Sequence, residues 1–277
     1  MKKFILLLNF EWNRIFKLYV SLILFVFVIQ TIGVVVISKQ HLKFIEMDLR
    51  TGITQAEIID MYGKFSLGDI LGSMPFLAPI ALSVAAVAFY IFFIWYRDWL
   101  GKNTFIYRLL MLPTSRMNVY FAKLATIMTS VLGLVAFQYI FLHIYRVIIK
   151  WIIPQVYRLD LDIVRTFRSS EYLSIILPNS LMEFLIAYGL GMLVVILVFT
   201  AILLERSFRI LGIICGGFFI GLAIALFILP TMIQVIFYGT MYLYYDEFFI
   251  IQLVLWIIIV AVSLIMSRYL LKNKVTV

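Results

Sequence analysis

LYVSLILFVFVIQTIGVVVI, residues 18–37, is an uncharged stretch long enough to cross a bilayer. A hydrocarbon core of about 30 Å takes a helix of about 20 apolar residues. A chain inside lipid must also satisfy its own backbone hydrogen bonds. The stretch therefore reads as a transmembrane helix. Five further runs qualify, at about 71–96, 119–145, 175–204, 209–229 and 248–271. They are too long and unbroken for barrel strands, so the expected fold is an all-α integral membrane protein with six spans in a single domain, 1–277. Composition agrees. Hydrophobic residues make up 65% and charged residues 13%, and mean hydropathy is +1.10. Soluble chains average about 45–50% apolar and about 25% charged, so no soluble fold hides this much apolar surface.

The basic residues orient the chain. One side holds Lys2, Lys3, Arg14, Lys17, Arg97, Lys102, Arg108, Arg116, Lys123, Arg206, Arg209, Arg268, Lys272 and Lys274, against only Glu11, Asp98 and Glu205. The other side is nearly balanced. Positive charge stays on the cytosolic face, so both termini are expected in the cytosol of a multi-pass plasma-membrane protein. The net charge of +9 then reflects basic cytosolic flanks of the spans; membrane lipid is the expected surrounding partner and nucleic acid is not expected. One loop resists this balance. Arg146, Lys150, Arg158, Arg165 and Arg168 crowd the supposed outer connection at 145–174.

The N-terminus does not read as a signal peptide, because its apolar run is short and Glu11, Arg14 and Lys17 follow. Residues 2–17 instead read as an interfacial helix. Phe4, Leu7, Leu8, Trp12 and Ile15 share one face, and Lys2, Lys3, Asn13, Arg14 and Lys17 the other. In the first outer loop, Thr54-Gln-Ala-Glu57 has the spacing of a capping box, with Gly63 as a stop.

Chemistry-bearing motifs are sparse. Gly63-Lys64 and Gly101-Lys102 lack the second glycine and the Ser/Thr of a phosphate-binding loop. His41 and His143 stand apart, Cys215 has no intrachain partner, and no metalloprotease or serine-hydrolase motif occurs. No catalytic site, metal or cofactor is expected. Polar groups within spans are Gln30, Gln138, Thr200 and Glu183, candidates for a pathway or for contacts between helices. Gly212-x-x-x-Gly216 and Gly217-x-x-x-Gly221 would let helices approach closely, within the chain or between subunits.

Between the second and third spans the chain reads Gly101-Lys-Asn-Thr104, then Arg108-Leu-Leu-Met-Leu-Pro113-Thr-Ser-Arg116, then Lys123. This short, basic, amphipathic segment broken by proline suits contact with a soluble partner. It resembles the region between the second and third spans of the membrane (permease) subunits of type-2 ABC exporters, as does Leu7-Leu-Asn-Phe-Glu11-Trp-Asn-Arg14 their interfacial elbow helix. The resemblance implies a permease of six helices that pairs with a second permease, identical or related. It implies cytosolic ATPase subunits that bind the ATP, contacted by a short coupling helix near 102–112. Phe105, Tyr107, Arg108, Leu109 and Arg116 would carry that contact, and Glu11 and Arg14 would lie in the interfacial helix. Apolar spans favour a hydrophobic or amphiphilic cargo, such as an antimicrobial peptide, a drug or a lipid. The competing reading is a sensor or assembly module that holds a soluble partner without transport.

The orientation predicts labelling. In a Cys215→Ala background, a cysteine at Thr54 should react with an impermeant reagent in intact cells, and one at Asn103 only after the membrane is opened. The reverse pattern overturns the topology.

Overall fold

The structure is a computed structural model that describes residues 2–99, 105–168, 171–178, 180–238 and 244–274. Its helices are α1 (Lys2–Arg50), α2 (Gln55–Tyr62), α3 (Leu67–Leu71), α4 (Met74–Trp99), α5 (Phe105–Leu110), α6 (Arg116–Ile152), α7 (Ile163–Arg168), α8 (Glu171–Ile176), α9 (Leu181–Phe208), α10 (Ile210–Tyr238) and α11 (Tyr245–Asn273). Six of these, α1, α4, α6, α9, α10 and α11, are long and apolar enough to cross a membrane. The protein is thus an all-α, multi-pass membrane protein, and each expected span falls on one of these helices.

Three sequence expectations change in detail. First, no turn separates an interfacial helix at 2–17 from the first span. α1 runs unbroken for 49 residues, roughly 70 Å. The reason lies in the sequence: no proline occurs in α1, and its first glycine is Gly33. Second, the fourth span starts at Leu181 rather than near 175, because the short α8 ends just before Pro178 and a new helix begins after Ser180. Third, the sequence puts Trp95, Tyr96 and Trp99 in an aromatic belt at the inner end of the second span, but Trp95 is no interfacial anchor. It is fully buried, packed edge-on to Phe199 at 5.5 Å between ring centroids.

Two compact packing units divide the chain. One gathers Met1–Glu11, Ala88–Ile127 and Tyr188–Val277, the other Trp12–Val87 and Met128–Ala187. Each is assembled from discontinuous segments, so no single cut of the chain separates them.

In the second unit, Gln30 of α1 is fully buried. Its Nε2 donates to the Phe76 carbonyl of α4 at 3.1 Å, and its Oε1 accepts from the Tyr145 hydroxyl of α6 at 3.1 Å. Gln30 is therefore a contact that ties three helices. Gln138 is also buried, but its Nε2 has no partner among the described residues. Gly33 brings α1 against α4: a Cβ there would lie 2.6 Å from the Pro75 Cβ. The expected outer cap is present. Thr54 and Glu57 form a reciprocal capping box, and Gly63 closes α2 with φ +71°. The Thr54 amide and hydroxyl hold the Glu57 carboxyl below the usual carboxylate range.

In the first unit, α9 and α10 meet at a one-residue break, Arg209, with φ +54°. The turn is tight enough that a Cβ on Gly212 would collide with the Leu204 carbonyl and lie 2.7 Å from the Glu205 Cα. Gly216 sits on Ala201, 3.2 Å from its Cβ. These glycines serve packing within the chain. A Cβ on Gly217 or Gly221 meets nothing within 4 Å.

Gly212→Ala should destabilise the protein by about 1–3 kcal/mol, since the obstruction is backbone and cannot swing away. Gly217→Ala should be neutral or slightly stabilising. Thermal unfolding of the two variants in detergent checks the contrast.

Candidate functional site

Three helices of the first unit bring charge to one buried point. α1 supplies Glu11, α4 supplies Arg97 and Asp98, and α6 supplies Lys123. The Lys123 side chain is 0% exposed, Asp98 0% and Glu11 2%. Lys123 Nζ donates to Glu11 Oε1 at 2.7 Å, to the Ile94 carbonyl at 2.9 Å and to Asp98 Oδ2. An ammonium carries three N–H donors, so all three are used. Arg97 donates to Glu11 Oε2 at 2.7 Å and lies over the Phe93 ring. Nζ of Lys123 also stands 5.3 Å from the Trp95 ring centroid. Two cations meet two carboxylates, so the group closes without net charge.

Local sequence explains the meeting. Glu11 comes four residues after Leu7 and four before Ile15, both buried, so helical spacing sets it on the packed face of α1. Asp98 is in the last turn of α4, where the helix dipole disfavours an acid unless a cation is near. Lys123 opens a run without a charged residue through position 145. These residues were legible as charges, but their pairing was not foreseen. The signal was available: a carboxylate on an apolar face and a lysine inside a span each require a partner. The third acid at this end, Glu205, accepts from the Tyr96 hydroxyl, with Arg206 3.9 Å away. Arg206 in turn lies over the rings of Tyr96 and Trp99.

The short helix α5 packs in the same unit. Ile106, Leu109 and Leu110 are buried on one face. Phe105 stacks on Phe10 at 5.7 Å, and Tyr107 meets Trp99 edge-on at 6.2 Å. Lys3 Nζ donates to the Pro113 carbonyl. Arg116 donates to the Leu271 carbonyl at 2.5 Å, supplying a partner to the last turn of α11. Exposed on α5 and just after it are Tyr107, Arg108, Met111 and Leu112.

The structure thus sorts the residues named from sequence. Tyr107 and Arg108 are accessible. Leu109 is not a surface contact, because it falls on the face shared with Ile106 and Leu110. Phe105 is spent largely on Phe10, and Arg116 on α11. Lys102, Asn103 and Thr104 lie outside the described residues. Glu11 is a member of the buried cluster, not an interfacial group, and Arg14 is half-buried. Glu183 does not face the interior. It is exposed in the first turn of α9, where its amide donates to the Ser180 hydroxyl at 3.1 Å. The later start of α9 moves it to the helix end, where the dipole favours an acid.

Compared with known proteins, the chain matches no family model, no curated protein and no solved structure.

Removing one member of a buried ion group strands its partners. Lys123→Met should cost about 3–5 kcal/mol, because the buried Asp98 and Glu11 carboxylates then lose the cation they share. Adding Asp98→Asn should recover a large part of that loss. Unfolding temperatures of the single and double variants measure the coupling.

Proposed function

We propose that this chain is the permease subunit of an ATP-driven ABC-type exporter. It forms half of the translocation pathway with a second permease, identical or related, in the plasma membrane. Both termini and α5 face the cytosol, and separate ATPase subunits dock there and supply the ATP hydrolysis. The cargo is hydrophobic or amphiphilic, a peptide, drug or lipid, in keeping with spans poor in charge.

The observation that carries this reading is α5 itself. A six-residue helix joins the second and third spans, with one face buried and the other presenting Tyr107 and Arg108. Transmission of force from a soluble motor needs such an element: short, outside the lipid, and packed firmly enough to move its spans when pushed. The Phe105–Phe10 and Tyr107–Trp99 ring contacts bind α5 to α1 and α4. The Lys123–Glu11–Asp98–Arg97 group joins α1, α4 and α6, so a push on α5 reaches three helices through short, charged links. The sequence pattern around Leu112-Pro113-Thr-Ser-Arg116 supports the same reading. The N-terminal turns of α1 belong to one continuous helix and form no separate elbow.

Arginine and aromatic side chains concentrate the energy of docked surfaces, where a hot spot is worth about 2 kcal/mol or more. The double variant Tyr107→Ala with Arg108→Ala should therefore reduce ATPase co-purification by about thirtyfold or more. Where binding survives, hydrolysis should no longer respond to cargo. The measurement is pull-down of a tagged chain from its native membrane, with identification of what comes with it. A nucleotide-hydrolysing partner that binds the double variant as well as the wild type excludes α5 as the coupling element. A signalling or assembly protein in its place favours the non-transporting module.

A further inference from the structure

Part of the crowded basic segment, between Arg146 and Thr166, lines a recess within the second unit. Arg146 and Ile149 of α6 line it, with Arg158, Leu159, Asp160 and Thr166 from the segment that follows. A local backbone pairing holds the segment in place. The Phe65 amide donates to the Tyr157 carbonyl at 2.9 Å, and the Leu159 amide donates to the Phe65 carbonyl at 2.8 Å.

Charge in the recess does not close. Arg158 is committed to structure: its Nε donates to Asp160 Oδ1, and its Nη1 donates to the Lys150 and Ile153 carbonyls, each at 3.1 Å. Lys150 Nζ stands 3.6 Å from Asp160 Oδ2. Lys150 and Arg158 thus already share the Asp160 carboxylate, and Arg146 makes no ion pair among the described residues. Its Nε is shielded from solvent and has no acceptor among the described residues. A half-buried guanidinium whose shielded N–H has no acceptor among the described residues can take one from outside the chain, and the local excess of basic residues favours an anion.

The rim indicates where that acceptor comes from. Trp151 is 82% exposed, and Val147, Leu159 and Val164 are also exposed. Tryptophan at the end of a membrane helix settles at headgroup level, and exposed aliphatic side chains beside it suit acyl chains. Arginine pairs with phosphate oxygens through its planar fork. We propose that this recess binds a phosphate group through Arg146, presented by an anionic phospholipid whose chains lie along the Trp151 side of the rim.

The test uses the purified full chain in detergent, titrated with phosphatidylglycerol, phosphatidylcholine or inorganic phosphate and followed by native mass spectrometry. Phosphatidylglycerol should bind in preference to phosphatidylcholine, and Arg146→Gln should weaken it about fivefold, the size of one basic side chain's contribution at a charged membrane surface. Arg146→Lys should fall between, since it keeps the charge and loses the fork. It also serves if the glutamine variant does not fold. Arg165→Gln, an exposed change outside the recess, should leave binding within about twofold. Binding of inorganic phosphate that depends on Arg146, without lipid binding, keeps the phosphate site and assigns it to a soluble source. Equal phosphatidylglycerol binding by wild type and both Arg146 variants overturns the proposal, and so does an equal loss in Arg165→Gln.

Discussion

A lysine inside an apolar helix has to be neutralised, and much of the first packing unit is arranged around that requirement. Lys123 sits two turns into α6 with no exposed surface. An isolated ammonium there would cost several kcal/mol. Its three donors find Glu11, Asp98 and the Ile94 carbonyl, which fixes α1, α4 and α6 in register. Hydrophobic contact alone could not do this. Apolar side chains slide against one another, and in lipid there is no hydrophobic drive between spans. A charged group with matched partners permits one arrangement. Gln30 plays the equivalent part in the second unit, bridging the same three helices through the Phe76 carbonyl and the Tyr145 hydroxyl.

The six spans were legible because lipid imposes a simple rule of length and apolarity. The capping box at Thr54 and Glu57 was legible because its chemistry is local. What escaped the sequence depended on contacts far apart in the chain. Glu11 meets Lys123 across 112 positions, and nothing near either residue names the other. The wheel divided the start of α1 as the structure does, with Leu7 and Ile15 buried and Lys2, Lys3, Asn13 and Lys17 exposed, but it could not name the partner that lets the Glu11 carboxylate join the apolar side. Glu183, by contrast, misled. Hydropathy averages over a window and cannot see that Pro178 delays the helix, which moves the glutamate from inside the expected span to the first turn of α9.

The uninterrupted α1 follows from what its sequence lacks. A helix ends where proline, glycine or a competing side chain breaks its ladder of hydrogen bonds. From Lys2 to Ile32 there is none of the first two. A change from polar to apolar residues near position 18 is a change of solvent, and solvent does not bend a helix. An elbow needs its own breaker, and α1 has none there.

Isolated helices shorter than about 12 residues are marginal in water. α5 has six, so its own hydrogen bonds cannot hold it, and its order must come from packing. Ile106, Leu109 and Leu110 supply the buried face, and Phe10 and Trp99 supply the ring contacts. Arg108 is exposed, beside the exposed Met111 and Leu112. A connection between spans needs only polar residues and a turn. One that folds a helix, packs it on one face and still exposes apolar surface beside an arginine has the form that the proposed coupling contact would need. The placement of the Lys123 group among the helices that carry α5 gives that face a firm footing, and this is why the two features are best understood together.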